Sequence, residues 1–328
     1  MDRVLSGMRP TGKLHLGHLH GVLQNWKDLQ EKYECFYFVA DWHALTTDYK
    51  NSKEIRDNAI EMVADWLAVG LNPEKATLFI QSKIKEHAEL HLILSMITPL
   101  GWLERNPTYK EMKNEIKNKE INNYGFLGYP VLQAADIIIY HAKFVPVGYD
   151  QVPHLELTRE IARRFNYLFK SNFFIEPEPI LTEFAKIPGI DGRKMSKSYN
   201  NAIFISDRGK ELEKKVLNLV TDTQRVRRTD PGDPEKCLAY NFHKIYCSKD
   251  ELEMINKECP KAGIGCFDCK KILLKRMIEF LEPIQEKRDK YISNKNLIID
   301  ILEEGSKKAR NIAKKTMEKV NEIVGFKY

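Results

Sequence analysis

Arg3-Val4-Leu5-Ser6-Gly7-Met8-Arg9-Pro10-Thr11-Gly12-Lys13-Leu14-His15-Leu16-Gly17-His18 decides how the rest of the chain is read. Arg3 to Ser6 is a short apolar strand, and Gly7 to Gly12 punctuate a turn. From Leu16 the apolar residues Leu16, Leu19, Val22, Leu23, Trp26 and Leu29 recur every three or four positions, which predicts a helix with one face packed inward. His15, Gly17 and His18 then fall on its first turn. Free N–H groups there favour phosphate, and a glycine lets a nucleotide approach the backbone. The imidazoles can donate to phosphate oxygens as charge builds in a transition state. The competing reading is a pair of helix-capping histidines.

The strand-then-helix unit repeats. Cys35-Phe36-Tyr37-Phe38-Val39-Ala40 is a continuous apolar run that suits a buried parallel strand, and Asp41-Trp42-His43 follow it. A helix is expected over Lys53 to Val69, with Ile55, Ala59, Met62, Val63 and Trp66 on one face and Gly70 as its stop. Ala76 to Gln81 repeats the strand pattern and His87 to Ile97 the helical one. This alternation predicts an α/β fold, a Rossmann-like doubly wound parallel sheet, followed by a smaller all-helical domain. Ligands bind such sheets beyond the carboxyl ends of the strands, where His15, His18 and His43 fall. A structural role for His43 competes equally.

With 328 residues the chain has room for two domains, and 43% hydrophobic with 30% charged residues describes an ordinary soluble protein. The net charge of +6 permits a nucleic-acid partner without requiring one. No apolar run approaches the roughly 18 to 20 residues of a membrane span, and Met1-Asp2-Arg3-Val4 has no signal-peptide layout, so a cytoplasmic location and no membrane partner are expected. Six cysteines in that setting point to metal or catalysis rather than disulfides.

Asn106 to Asn123 carries Lys110, Lys113, Lys117 and Lys119 among Asn and Glu and reads as a solvated, mobile connection, or as a basic flap over phosphate or RNA. Tyr129 to Tyr140 then sets Asp136 alone in an apolar stretch. A buried carboxylate needs donors, and a ligand N–H can supply one where the protein does not. Val145 to Gln151 leads into a helix through Leu155, Leu157, Ile161 and Ala162; Asp150 at its start is either a cap or a ligand contact. Gly189-Ile190-Asp191-Gly192-Arg193-Lys194-Met195-Ser196-Lys197-Ser198 reads as an anion clamp: Lys194 and Lys197 converge on polyphosphate, Ser196 and Ser198 add hydroxyls, and the glycines allow closure. A basic surface loop is the alternative.

Beyond the loop, Lys210 to Val220 is charged and amphipathic, Arg225-Val226-Arg227-Arg228 is a positive patch, and Ile272 to Val324 shows long helical patterns. A domain boundary is expected between Ile187 and Asp207. Cys237, Cys259, Cys266 and Cys269 form a C-x21-C-x6-C-x2-C pattern whose four thiolates suit zinc or an iron–sulfur cluster. The single C-x2-C knuckle favours the cluster; four unrelated buried thiols are the third reading. Cys35 fits the core, and Cys247 fits neither spacing.

The paired stretches Thr11 to His18 and Lys194 to Ser198 resemble the signatures of class I aminoacyl-tRNA synthetases, and nearly the whole chain resembles the bacterial tryptophanyl-tRNA synthetases. That resemblance implies activation of L-tryptophan by ATP, as its Mg2+ complex, to tryptophanyl-adenylate and pyrophosphate, then transfer to tRNA(Trp). A tyrosyl-tRNA synthetase is the alternative. It implies that Arg9, Pro10, Thr11, Gly17, His18, Gly148, Tyr149, Asp150, Ile187, Lys194, Met195, Ser196, Lys197 and Ser198 bind ATP, with Lys194, Lys197 and His18 catalytic. For tryptophan it implies Asp136 on the indole N–H, Tyr129 and Gln151 on the amino group, and Leu5, His43, Val145 and Val147 around the ring. It implies a homodimer, a catalytic domain over 1–190 with an insertion at about 106–169 that carries dimer and substrate elements, and a phosphate-binding loop plus helical anticodon-binding domain over 191–328. A subset of the family carries a 4Fe-4S cluster on four cysteines in the matching region, with zinc the rival here. Arg9 and Gln133 replace the Gln and Met common in better-known members, and Met112 stands where a phosphate-reaching lysine is frequent.

Overall fold

The structure, a computed structural model, describes residues 1–106, 123–181 and 187–327, with Asp150 described by its backbone alone. The expected solvated connection, including Met112, lies almost wholly outside the described residues. The strands are β1 (Arg3–Met8), β2 (Glu34–Val39), β3 (Ala76–Ile80), β4 (Phe144–Val147) and β5 (Glu178–Leu181). They form one parallel sheet in the order β3-β2-β1-β4-β5. Cys35, Tyr37 and Val39 of β2 enter the core on one face while Phe36 and Phe38 enter the core on the other, which is why the run lacks polar alternation. The strand order reverses between β1 and β4. A crevice therefore opens at their carboxyl ends.

The first helix is not continuous. A turn over Leu16–His18 passes into a π-helical stretch, Leu19–Leu23, before regular helix resumes over Gln24–Leu29. Trp26 lands flat on Tyr37 of β2 at 4.4 Å between ring centroids, and the Tyr37 hydroxyl donates to the Trp26 carbonyl at 2.9 Å. Helix Lys53–Val69 has the expected bounds and stops at left-handed Gly70. Helix Glu86–Ile97 follows β3, and the Asp136 stretch is a helix, Tyr124–Ile138. Gln151, not Asp150, is the N-cap residue of helix Val152–Leu168, with no side-chain cap bond. β5 has no counterpart in the sequence reading.

Past the lysine–serine loop the chain is helical: Gly209–Leu217, Leu238–Tyr246, Lys249–Glu258, Cys266–Ser293 and Lys295–Val324. The last of these runs along β3, at the sheet's edge. A Cβ at Gly305 would overlap the Leu78 carbonyl oxygen, so only glycine permits the approach. Ser306 Oγ then accepts the Ile80 N–H at 3.3 Å. The helix straddles the edge, giving Ile298 and Leu302 to one core and Ala309, Ala313, Met317 and Val320 to the other. Helix Cys266–Ser293 is tied to helix Lys53–Val69 by Arg288, whose Nε donates to Asp65 Oδ1 at 2.6 Å and whose Nη2 pairs with Glu61. Among the described residues no helix is long and apolar enough to cross a membrane.

Candidate active site

His15 is the N-cap residue of the first turn. Its Nδ1 accepts from Gly17 N–H at 3.1 Å, while its own N–H donates to His18 Nδ1 at 3.2 Å. Leu16 N–H donates to the Ile203 carbonyl, and His18 and Leu19 N–H to the His15 carbonyl. The expectation of free first-turn amides for phosphate is thereby corrected: these N–H groups are already bonded within the protein. The histidines cap the helix, and capping leaves them a second function. With both Nδ1 atoms used as acceptors, each neutral ring carries its proton on Nε2. Burial, with Lys197 adding to it, lowers His15 to about 4; burial, then His15 and Lys197, lowers His18 well below the ordinary range. Neutral Nε2–H donors result. Their rings lie 3.8 Å apart.

The lysine–serine loop reaches this turn through one residue. Lys197 Nζ donates to the Thr11 carbonyl at 3.2 Å, directly beside Gly12, and burial lowers its ammonium to about 8. Lys194 is exposed and pairs through its backbone with Pro188. Met195 and Ile187 are turned into the core instead of toward the crevice, at 4% and 5% exposure. Ser196 Oγ and Ser198 Oγ bond each other at 2.8 Å. Arg9 and Thr11 are exposed at the end of β1, and Arg9 lies within electrostatic reach of Tyr129. Gly148 follows β4 and starts the Tyr149–Gln151 turn, from which Tyr149 projects outward at 71% exposure.

Asn201, which sequence reasoning missed, holds the loop's shape. Its Oδ1 accepts Ser196 N–H at 2.8 Å, and its Nδ2 donates to Asp191 Oδ1 at 2.8 Å and to the Lys194 carbonyl at 3.1 Å. It is 2% exposed. Gly189 has no Cβ because one would overlap the Asn201 amide, so this glycine serves packing rather than the mobility expected of it. An Asn three residues past Ser198 was the only local signal, and nothing in the sequence marks it as buried.

Asp136 is not the lone carboxylate its apolar neighbours suggested. Its Oδ2 accepts from His43 Nε2 at 2.7 Å, its Oδ1 from His87 Nδ1 at 2.5 Å, and Gln81 Nε2 reaches both oxygens at 2.8 and 2.9 Å. Burial alone would raise its pKa; the bonds from His43 and His87 prevail and hold it at about 2. Gln81, just past β3, and His87, on the first turn of helix Glu86–Ile97, are both fully buried; they were legible only as the close of a strand and the start of a helix. Leu5, Val145 and Val147 lie in the same core as the Asp136 helix, on the β1–β4 side of the crevice. Tyr129 stands about two helical turns before Asp136 on the same helix, and its hydroxyl is buried without a hydrogen-bond partner among the described residues. Such an atom is a natural contact for a polar ligand group.

Away from the crevice, Cys237, Cys259, Cys266 and Cys269 line one small apolar cavity together with Arg225 and Lys270. Cys266 and Cys269 lie on the first turn of helix Cys266–Ser293, not in the knuckle loop their spacing suggested, and Cys259 ends helix Lys249–Glu258. Burial pushes the Cys269 thiol up to about 12, with Cys237, Cys259 and Cys266 adding to the shift. Among the described residues no three His, Cys, Asp or Glu side chains are grouped to hold a single metal ion. Cys247 bonds His243 Nδ1 at 3.1 Å, and Cys35 is core as expected.

The chain that builds this sheet, histidine-capped turn and lysine loop matches one family model, tRNA synthetases class I (W and Y), over residues 2–282. The chain belongs to this family. The synthetase is 53% identical to the tryptophan–tRNA ligase of Thermotoga maritima over 328 residues, covering 99% of this chain and 100% of that one. It is 48% identical to the tryptophan–tRNA ligase of Aquifex aeolicus, covering 99% and 100%. Among solved structures, the tryptophanyl-tRNA synthetase of Campylobacter jejuni complexed with ADP and tryptophan superposes with a TM-score of 0.91 at 34% identity, covering 98% and 99%.

Proposed function

We propose that this synthetase activates L-tryptophan with ATP to tryptophanyl-adenylate and pyrophosphate and transfers the amino acid to the 3′ end of tRNA(Trp). The observation that carries the reading is the meeting of Lys197 with the Thr11–His18 turn at the carboxyl end of β1, in a chain 53% identical to a tryptophan–tRNA ligase along its whole length. The tryptophan carboxylate attacks the α-phosphorus of ATP, supplied as its magnesium complex. Charge then develops on the departing pyrophosphate. Lys197, Lys194 and the His18 Nε2–H answer it, and because the imidazoles are already neutral and fixed by capping bonds, they donate without first having to reorient.

Arg9, Pro10, Thr11, Gly17, Gly148, Tyr149, Asp150, Ile187, Met195, Ser196 and Ser198 complete the ATP set in this reading, the buried Ile187 and Met195 by shaping the wall behind it. Asp136 reads the indole N–H, the Tyr129 hydroxyl (without a partner among the described residues) and Gln151 take the amino group, and Leu5, His43, Val145 and Val147 enclose the ring. ATP–pyrophosphate exchange run with tryptophan and tyrosine in parallel tests the assignment: exchange is expected with tryptophan, and exchange with tyrosine alone would transfer it to the weaker, tyrosyl alternative.

The division into a catalytic part over 1–190, with an insertion at about 106–169, and a phosphate loop with an anticodon-binding helical part over 191–328 belongs to the same reading. So do a cytoplasmic location and a homodimer. Leu92, Met96 and Leu100, exposed at 56%, 74% and 57% on and just after helix Glu86–Ile97, support the dimer by offering an apolar strip for a second copy. A 4Fe-4S cluster on Cys237, Cys259, Cys266 and Cys269 is the proposed metal group. Its support is the donor chemistry: four soft sulfurs line one small apolar cavity, and Arg225 and Lys270 line the same cavity to offset a cluster's negative charge. Bound there, the group would cross-link three helix ends and supply folding free energy.

A further inference from the structure

His87 is 0% exposed and sits against the rings of Phe38 and Phe79, a setting in which an unbonded imidazole would be costly. Both its ring nitrogens are bonded. Nδ1 lies 2.5 Å from Asp136 Oδ1, and Nε2 lies 2.6 Å from the Tyr140 hydroxyl. The proton positions follow from chemistry. An ionised carboxylate can only accept, so Nδ1 carries the hydrogen; in a neutral ring Nε2 then accepts, so the Tyr140 O–H donates. The result is a one-way chain from Tyr140 through His87 to Asp136, buried at every link.

The proton count at Asp136 gives this chain a consequence. A carboxylate offers about four acceptor sites. His87, His43 and Gln81 make four contacts, two on each oxygen, because Gln81 Nε2 is shared between Oδ1 and Oδ2; a further N–H is therefore received where Gln81 gives up one of its two. Which way the oxygens point is set by the rotamer of the carboxylate, and His87 holds Oδ1 while His43 holds Oδ2. The Asp136 group is faced by His43 and His87, by His91 at longer range, and through Tyr140 by Glu86.

We propose that His87, supported by Tyr140, is a positioning residue for amino acid recognition: it holds the Asp136 carboxylate ionised and in the rotamer from which one oxygen receives the indole N–H in place of a Gln81 contact. The inference rests on the reading that Asp136 meets that N–H. It goes beyond that reading by assigning the selectivity of the site to a residue that does not touch the substrate. It also explains why a histidine, not an apolar residue, occupies this wall.

The test compares His87→Phe, His87→Asn and Tyr140→Phe with the unmodified enzyme in ATP–pyrophosphate exchange. His87→Phe is expected to raise KM for tryptophan about tenfold or more, with kcat and KM for ATP within about twofold. The acid limb of kcat/KM for tryptophan should move upward, because Asp136 loses a bond that favours its charged form. His87→Asn, which can place an amide N–H near the position of Nδ1, should recover most of the loss, and Tyr140→Phe should give a smaller shift of the same sign. If His87→Phe does not fold, the asparagine and Tyr140 variants carry the test through the same pH profile. A folded His87→Phe enzyme with unchanged KM and acid limb would overturn the proposal, as would a loss confined to kcat. The underlying reading is checked separately with the unmodified enzyme and the benzothiophene analogue of tryptophan, which lacks the ring N–H: equal kcat/KM for the two would remove the role of Asp136 and the proposal with it.

Discussion

Replacing Lys197 by alanine isolates the contact between the two signature segments. In the resting structure its ammonium makes a partly solvated bond to the Thr11 carbonyl at 3.2 Å, so its loss should cost the fold no more than about 0.5 to 1.5 kcal/mol. The rate should suffer far more. One preorganised donor aimed at developing charge contributes about 2.7 to 4 kcal/mol, or roughly 10²- to 10³-fold in rate. Single-turnover formation of the adenylate should therefore fall by that factor while tryptophan affinity, measured by equilibrium binding, stays near normal. The same ammonium supplies a pH signature. Burial lowers it to about 8, so the charged form predominates below that value and is lost as pH rises through it. In the unmodified enzyme kcat/KM for ATP should decline above about pH 8, and this limb should vanish in Lys197→Ala. Because burial lowers His15 to about 4 and His18 well below the ordinary imidazole range, neither should add a limb at the ordinary imidazole pKa. A single-turnover rate within about threefold of the unmodified enzyme would refute the role given to this lysine.

Asn201→Ala removes the peg from the loop; kcat for exchange should drop about tenfold or more with KM for tryptophan unchanged, and a parallel rise in that KM would mean the damage spreads beyond the loop. Arg288→Ala leaves the Asp65 carboxylate, raised by burial to about 6 even beside the guanidinium, without its partner in the core, so stability should fall by about 3 to 5 kcal/mol in denaturant unfolding. A loss under 1 kcal/mol would show that the pair is dispensable to the packing of the C-terminal helices on helix Lys53–Val69. Enzyme purified without oxygen should carry iron and sulfide, with broad visible absorbance that bleaches on reduction and disappears when Cys237, Cys259, Cys266 or Cys269 is changed to serine. One zinc per chain and no iron would give the site to the rival metal, and neither metal would leave four ordinary thiols.

The parallel sheet, its alternation with helices and the two signature segments were written in local pattern. A strand buried on both faces must be apolar throughout, and Cys35 to Ala40 is; a helix that must end needs a residue tolerant of the left-handed region, and Gly70 stands there. The membership in a synthetase family rested on residues quoted from the sequence, because loops that meet phosphate use a small set of side chains. Pairings between distant segments were not legible. Asp136 looked unpartnered because His43, Gln81 and His87 approach it from other elements, 93, 55 and 49 residues away in sequence. Nothing in the local pattern accounts for Gly305 inside a helix, and only the approach of Leu78 gives it a reason. The first-turn amides looked free because nothing in a linear pattern shows that an imidazole will turn back to cap them. Periodicity reports which face of an element is buried; which donor finds which acceptor is decided when the elements pack, since a hydrogen bond requires a distance and an angle that no spacing along the chain specifies.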